Sequence, residues 1–225
     1  MRPRPGPALI PGVTISNDSA QAREAARHTD GTFGEQHLPE PAGLSAAESE
    51  QPTVETLPNG IQEWRLPNGQ LHRDDGPARI YPDGTEVWVQ HGERHRDDGP
   101  AITRPDGDEA WDQHGKRHRD DGPAATYPDG TEFWFQHDQL HRVGGPAVAY
   151  ADGVEVWFQH GQRHRDDGPA LVYSNGTEFW FQHDQQHRVG GPAVTEADGS
   201  KKWFIHGRQV TEAEHDRIAA QDSAQ

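Results

Sequence analysis

The chain has 225 residues, of which 31% are hydrophobic, and a mean hydropathy of -1.03, low for a globule with a deep core and better suited to a thin, extended sheet. Its formal charge of -16, with no basic segment to offset it, argues against nucleic acid and anionic membranes as partners, since both recruit Lys and Arg. The absence of cysteine excludes disulfides, thiolate catalysis and cysteine-type zinc sites.

Acidic residues outnumber basic ones in each part of the chain: 8 to 4 over residues 1–56, 25 to 16 over 57–210, and 4 to 1 over 211–225. The start, Met1-Arg2-Pro3-Arg4-Pro5-Gly6-Pro7, is basic but lacks the apolar run of a signal peptide. No window has the apolar length of a membrane span. The default expectation is a cytoplasmic protein.

Residues 1–56 are rich in Pro, Gly, Ala, Ser and Glu with almost no aromatic residues. Such a segment buries too little apolar area to offset chain entropy, so a disordered leader is expected. Asp18 is placed to cap a short helix through Ala20 to His28, without an apolar stripe to dock it. His28 and His37 read as solvated.

From Leu57 onward the chain repeats. Gly-Pro-Ala begins at Gly76, Gly99, Gly122, Gly145, Gly168 and Gly191, a strict step of 23 residues. Tryptophan falls at Trp64, Trp88, Trp111, Trp134, Trp157, Trp180 and Trp203, with one first step of 24 and then 23 throughout. A fixed period of this size marks a repeat architecture in which each unit buries its faces against its neighbours.

Around each tryptophan the pattern alternates, as in Thr85-Glu86-Val87-Trp88-Val89-Gln90 and Glu132-Phe133-Trp134-Phe135-Gln136, which predicts strands. Turns such as Tyr81-Pro82-Asp83-Gly84 precede them, with Pro setting the first angle and Gly the positive φ of a bulged loop. A second turn follows at His91-Gly92, His114-Gly115, His137-Asp138, His160-Gly161, His183-Asp184 and His206-Gly207. Asn68-Gly69 holds that place in the first unit and reads as a two-residue hairpin turn; His, like Asn and Asp, is enriched in the left-handed region such a turn demands.

The expected fold is therefore all-β: a single long antiparallel meander, coiled or strongly twisted, of 23-residue β-hairpin repeats over 57–210. Its register sets His95 and Ala78 on either side of Trp88, and Arg94 opposite Val89. One face should carry Tyr81, Val87, Val89 and their equivalents, including Tyr127, Phe133, Phe135, Tyr173, Phe179 and Phe181. The other should carry Ala78, Glu86, Trp88, Gln90 and His95. Over 211–225, Thr211-Glu212-Ala213-Glu214 is a capping box, predicting a short helix that caps the last strand.

The copies differ. Asp-Asp before Gly-Pro becomes Val143-Gly144 and Val189-Gly190, and the same units carry Leu140 and Gln186 where three of the four Asp-Asp units have Arg94, Arg117 and Arg163, the exception being Leu71, which keeps Asp74-Asp75 without an arginine. That joint loss predicts pairing between those arginines and the Asp-Asp carboxylates.

The pattern seen from His91 to Trp111 and from His160 to Trp180, His-Gly-x-Arg-His-Arg-x-Asp-Gly-Pro-Ala followed by a Gly turn and Trp, resembles the divergent MORN-type β-hairpin repeats of bacterial, phage and giant-virus proteins. The hairpin turns and the aromatic residue after a Gly turn are shared, while Gly-Pro-Ala is particular to this variant. The resemblance covers about residues 57–210 and implies a hairpin fold and a scaffold role, with no catalytic residues to map.

Three functional readings follow. The first is a non-enzymatic scaffold that mediates protein–protein interaction or self-association and needs no cofactor. The second is carbohydrate or cell-wall binding, with the seven indoles as stacking platforms; in the alternative, each indole packs on the Ala of Gly-Pro-Ala and against the opposing His ring. The third is a metal- or pH-responsive surface built on two histidine columns, His72 to His187 and His91 to His206, where two His four apart across a turn would approach one ion. Asp97, Asp98 and His95 lack an accompanying nucleophile, and several similar copies argue for structure over catalysis.

Overall fold

The computed structural model describes residues 51–222, which fall within one compact unit, Ser49–Gln225. The expected leader helix from Ala20 to His28, and His28 and His37, lie outside the described residues.

The chain forms one antiparallel sheet of 15 strands whose neighbours follow chain order. It begins earlier than the sequence boundary at Leu57. Thr53–Thr56 pairs with Gln62–Arg65, setting Val54 opposite Trp64. Leu57-Pro58-Asn59-Gly60 closes this hairpin, with the Gly60 N–H donating to Leu57 O at 2.8 Å. The turn has the same Pro-Asn/Asp-Gly chemistry as those that follow, so Thr53–Thr56 belongs to the sheet and not to the leader.

Within the repeats the sheet strands are two residues long, as in Arg79–Ile80, Glu86–Val87 and Ile102–Thr103. Arg79 pairs with Val87, and Val87 with Ile102. Extended by one residue, this register sets Trp88 between Ala78 and Ala101, and the Trp88 N–H donates to Ala101 O at 2.7 Å. The expected register therefore holds on this side.

Past Trp88, Trp111, Trp134, Trp157 and Trp180 the chain leaves the long sheet. Val89–Gln90 turns at His91-Gly92 and pairs with Glu93–Arg94, Val89 opposite Arg94, in the first of five two-stranded ribbons. The Trp88 carbonyl accepts from His95 N–H at 3.2 Å, so each of these five tryptophans is the last residue of one ladder and the first of the other. Ribbons are tied to their neighbours by Arg73 N–H to Val89 O (3.0 Å) and Gly92 N–H to Leu71 O (2.8 Å). The meander is thus split lengthwise along the tryptophan column. Each ribbon returns through Arg-x-x-Gly-Pro, where proline has no N–H to continue a ladder.

The second turns adopt the predicted left-handed geometry. His91, His114, His137, His160, His183 and His206 have φ between 47° and 50°, and Asp138 and Asp184 reach 66° and 64°. Asn68-Gly69 departs from it. Asn68 is absent from the positive-φ residues, while Gly69 stands at 85°. Leu66 O accepts from Gly69 N–H at 2.8 Å, and Leu66 N–H donates to Gln70 O at 2.9 Å, which is a bulged three-residue loop. Pro67 fixes a negative φ ahead of Asn68 and excludes the two-residue form. The extra loop residue also accounts for the single 24-residue step.

The two faces separate as the alternation predicted. Phe133 meets Tyr127 and Tyr150 edge-on, at 5.8 Å each, and lies parallel to Phe135 at 6.4 Å. Phe179 repeats this with Tyr173 and Phe181. On the other face Ala78, Ala101, Ala124, Ala147, Ala170 and Ala193 are completely buried.

At the C-terminal end, Lys201–Ile205 pairs with Arg208–Val210 and helix α1 (Glu212–Asp222) follows. The capping box forms. Glu214 N–H donates to Thr211 Oγ1 at 3.3 Å, and Thr211 N–H to Glu214 Oε2 at 2.9 Å. The buried His215 docks the helix, its Nε2 2.8 Å from Arg188 O. No helix among the described residues is long and apolar enough to cross a membrane.

Candidate functional site

All seven tryptophans, Trp64, Trp88, Trp111, Trp134, Trp157, Trp180 and Trp203, are half-buried. Six carry the guanidinium of their own unit's His-Arg arginine on the ring. Arg73 stands 4.4 Å from the Trp64 ring centroid, Arg96 3.9 Å from Trp88, and Arg119 3.9 Å from Trp111. Arg142, Arg165 and Arg188 stand at 3.7, 4.2 and 3.8 Å from Trp134, Trp157 and Trp180. Trp203, in whose unit Thr211 replaces the arginine, lies opposite Val210.

The return loop closes over the cation. Arg96 Nη1 donates to Pro100 O at 3.3 Å and its Nε to Asp98 Oδ1 at 3.2 Å. A Cβ at Gly99 would lie 2.6 Å from the Arg96 Cζ, and one at Gly122 2.5 Å from the Arg119 Cζ. The glycine of Gly-Pro-Ala is therefore a seat for the guanidinium. Indole nitrogens of Trp88, Trp111, Trp134 and Trp180 are buried with no hydrogen-bond partner. The guanidinium is a neighbour of the indole that the sequence reading did not include, and the imidazoles stack on one another.

They do so between successive units. His72 and His91 rings lie 4.4 Å apart, and five further pairs, His95–His114, His118–His137, His141–His160, His164–His183 and His187–His206, lie at 4.3–4.5 Å. In each pair the backbone N–H of the turn histidine donates to Nδ1 of the other, at 3.1 Å for His91 on His72. That fixes the proton of the first histidine on Nε2, which faces Asp74, Asp97, Asp120 or Asp166 at 3.0–3.4 Å in four pairs. The two His four apart across a turn, such as His91 and His95, do not form the pair; the partner is 19 residues away in the previous unit. Among the described residues no three His, Asp or Glu side chains gather as a metal-holding group.

The predicted pairing of Arg94, Arg117 and Arg163 with Asp-Asp is corrected. Asp75, Asp98, Asp121 and Asp167 pair with the stacking arginines Arg73, Arg96, Arg119 and Arg165. Arg163 instead reaches the turn carboxylate of the next unit, Asp184, with Nε at 2.8 Å. Burial pushes the Asp184 carboxyl up, but the Arg163 side chain and backbone N–H outweigh it and hold the carboxyl below its ordinary range. Asp138 accepts the Arg117 N–H at 2.7 Å in the same way. The turn lies one strand away across the unit boundary, nearer than the return loop.

Two buried acids went unnoticed in the sequence. Asp112 is fully buried where other units carry Val89, Phe135 or Phe181, and Arg94 Nε (2.9 Å) and Arg117 Nε (3.4 Å) flank it. Glu63 lies between Arg65 and Arg79; desolvation raises its carboxyl, yet those two hydrogen-bonded cations bring it below normal. The stacking arginine was also overlooked, although Arg follows His in all six units from His72 to His187, as regularly as Trp recurs. Compared with known proteins, the chain matches no family model and no curated sequence.

Proposed function

We propose that the chain is a non-enzymatic, cytoplasmic repeat scaffold of the MORN-like kind, which presents an extended sheet to a protein partner or to a second copy of itself. The observation that carries this reading is that the repeated polar side chains are engaged in holding the sheet together. Arginine is stacked on tryptophan, imidazole on imidazole, and carboxylate on guanidinium, unit after unit. What is left outward is surface, including the aromatic face with Tyr127, Tyr150 and Tyr173 each about two-fifths exposed, at 41%, 43% and 41%.

A carbohydrate reading would require the indoles as platforms, and the six arginines occupy the faces a sugar would stack on. A pH-responsive reading has a specific observation in its favour. Protonating Nδ1 of a first-column histidine removes the acceptor that ties one ribbon to the next.

The scaffold reading is tested with the full tagged chain: cross-linking in its host, reconstitution of any captured complex from purified components, and light scattering of the chain alone. A reconstituted complex or defined self-assembly is the expected result. A monomer that forms no reconstitutable protein complex but co-sediments with an insoluble polysaccharide would overturn it.

A further inference from the structure

Four of the six Arg–Trp stacks carry a carboxylate on the guanidinium, and two do not. In the four, Arg Nε lies 2.8–3.2 Å from the second Asp of the return loop. In the other two that position is Gly144 or Gly190, and the first Asp is Val143 or Val189. Arg142 and Arg188 keep the stack and the bond to the Pro146 and Pro192 carbonyls, at 3.1 and 3.2 Å, but no carboxylate among the described residues pairs with either. Val143 beside the first is 83% exposed and Val189 beside the second 37%. Next to Arg142 a cavity of about 290 Å³ opens against Trp157 and Gln159, with Asp166 and Asp167 of the following loop on its wall.

We infer that these two loops are a docking site for an extended acidic segment of a protein partner. One carboxylate would fill each place that Asp75, Asp98, Asp121 and Asp167 fill in the sibling loops, with an aliphatic residue beside it covering the valine. This rests on the scaffold reading and names the chemistry of its partner.

The sibling loops supply the template: a carboxylate is what this guanidinium holds wherever the chain provides one. Charge complementarity supplies the direction, since in a strongly acidic protein these loops alone exchange two acids for an apolar residue and leave the cation without an ion pair. Geometry sets the spacing. Arg142 and Arg188 are two units apart, four strand spacings or roughly 19 Å, which an extended segment covers in about six residues. The intervening loop carries Asp166 and Asp167, paired with His164 and Arg165, so the middle of the segment should be neutral or basic.

The probe is the heptapeptide Asp-Val-Ser-Lys-Ser-Val-Asp, carrying fluorescein on a glycine-serine spacer, titrated with the full chain by anisotropy at low and high salt. The discriminating variant restores the sibling sequence, Val143→Asp with Gly144→Asp; because Gly144 stands at φ 80°, where a side chain is strained, Val143→Asp alone, which keeps the glycine, is titrated beside it, and the melting temperature of each confirms that it is intact. Salt-sensitive binding to the original chain, at least about tenfold weaker in the variant, is expected, with a scrambled peptide whose acids are adjacent also weaker. No binding to the original chain, or equal binding to the variant, overturns the site. Either result leaves the scaffold reading to its own cross-linking test, so the two fail separately.

Discussion

At the scale of single residues, the stack of Ala, Trp, Arg and Gly explains the strict recurrence of four positions at once. An indole quadrupole attracts a guanidinium, with a contribution of about 0.5–2 kcal/mol depending on how far the pair is desolvated. Holding the cation there requires a loop residue with no side chain, which is why Gly122 faces the Arg119 guanidinium at a distance a Cβ cannot share. Gly122→Ala should therefore cost about 1–2 kcal/mol, mostly by displacing the arginine from Trp111. In an Arg119→Ala background the same change should be close to neutral. Denaturant unfolding of the two singles and the double closes the cycle; additive losses would mean that the glycine serves the backbone and not the cation. Legibility at this scale was uneven. Trp and Ala stood out by size and burial, whereas an arginine beside a His-Arg-Asp-Asp run reads as one more surface charge until the indole beneath it is known.

At the scale of elements, each ribbon is joined to the next by two backbone hydrogen bonds and one imidazole acceptor, so histidine titration acts on the joint itself. His141 is the distinct case. Burial, with the neighbouring His160 charge second, lowers its pKa below the ordinary 6.5, and its unit has Val143 where siblings place Asp. A histidine with a lowered folded pKa favours the neutral form. Its contribution is complete above the unfolded value of about 6.5 and is lost as pH falls from there through the folded pKa. The His160 N–H, 3.1 Å from His141 Nδ1, should therefore keep its hydrogen-exchange protection as pH falls to about 6.5 and lose it only below that, as the lowered pKa is passed. Protection of this amide lost already above about pH 6.5, or unaffected well below it, would show that the acceptor bond does not govern the joint. The two turns per unit were readable in the sequence, since Pro-Asp-Gly and His-Gly each impose a backbone geometry locally. The imidazole pairing was not, because it joins residues 19 apart in different units and depends on how adjacent ribbons stagger.

At the scale of the whole molecule, the periodicity specifies an all-β antiparallel sheet because alternation and turn chemistry agree in every unit. The split along the tryptophan column escaped the sequence, since strand propensity continues smoothly through Val87-Trp88-Val89 and only the proline-bearing return loop divides the two ladders. The sheet ends differently at its two termini. Helix α1 covers the last strands through His215, whereas the side chains of Thr53–Thr56 are exposed along the strand. The central claim is that the tryptophan row, the most conspicuous candidate for a binding platform, is a structural ladder closed by arginine. Acrylamide quenching and the emission maximum of the free protein, compared with Arg119→Ala and with added soluble polysaccharide, test this most directly. The account predicts blue-shifted, poorly quenched emission, unchanged by polysaccharide and more quenchable in the variant. Readily quenched indoles that polysaccharide protects would contradict it.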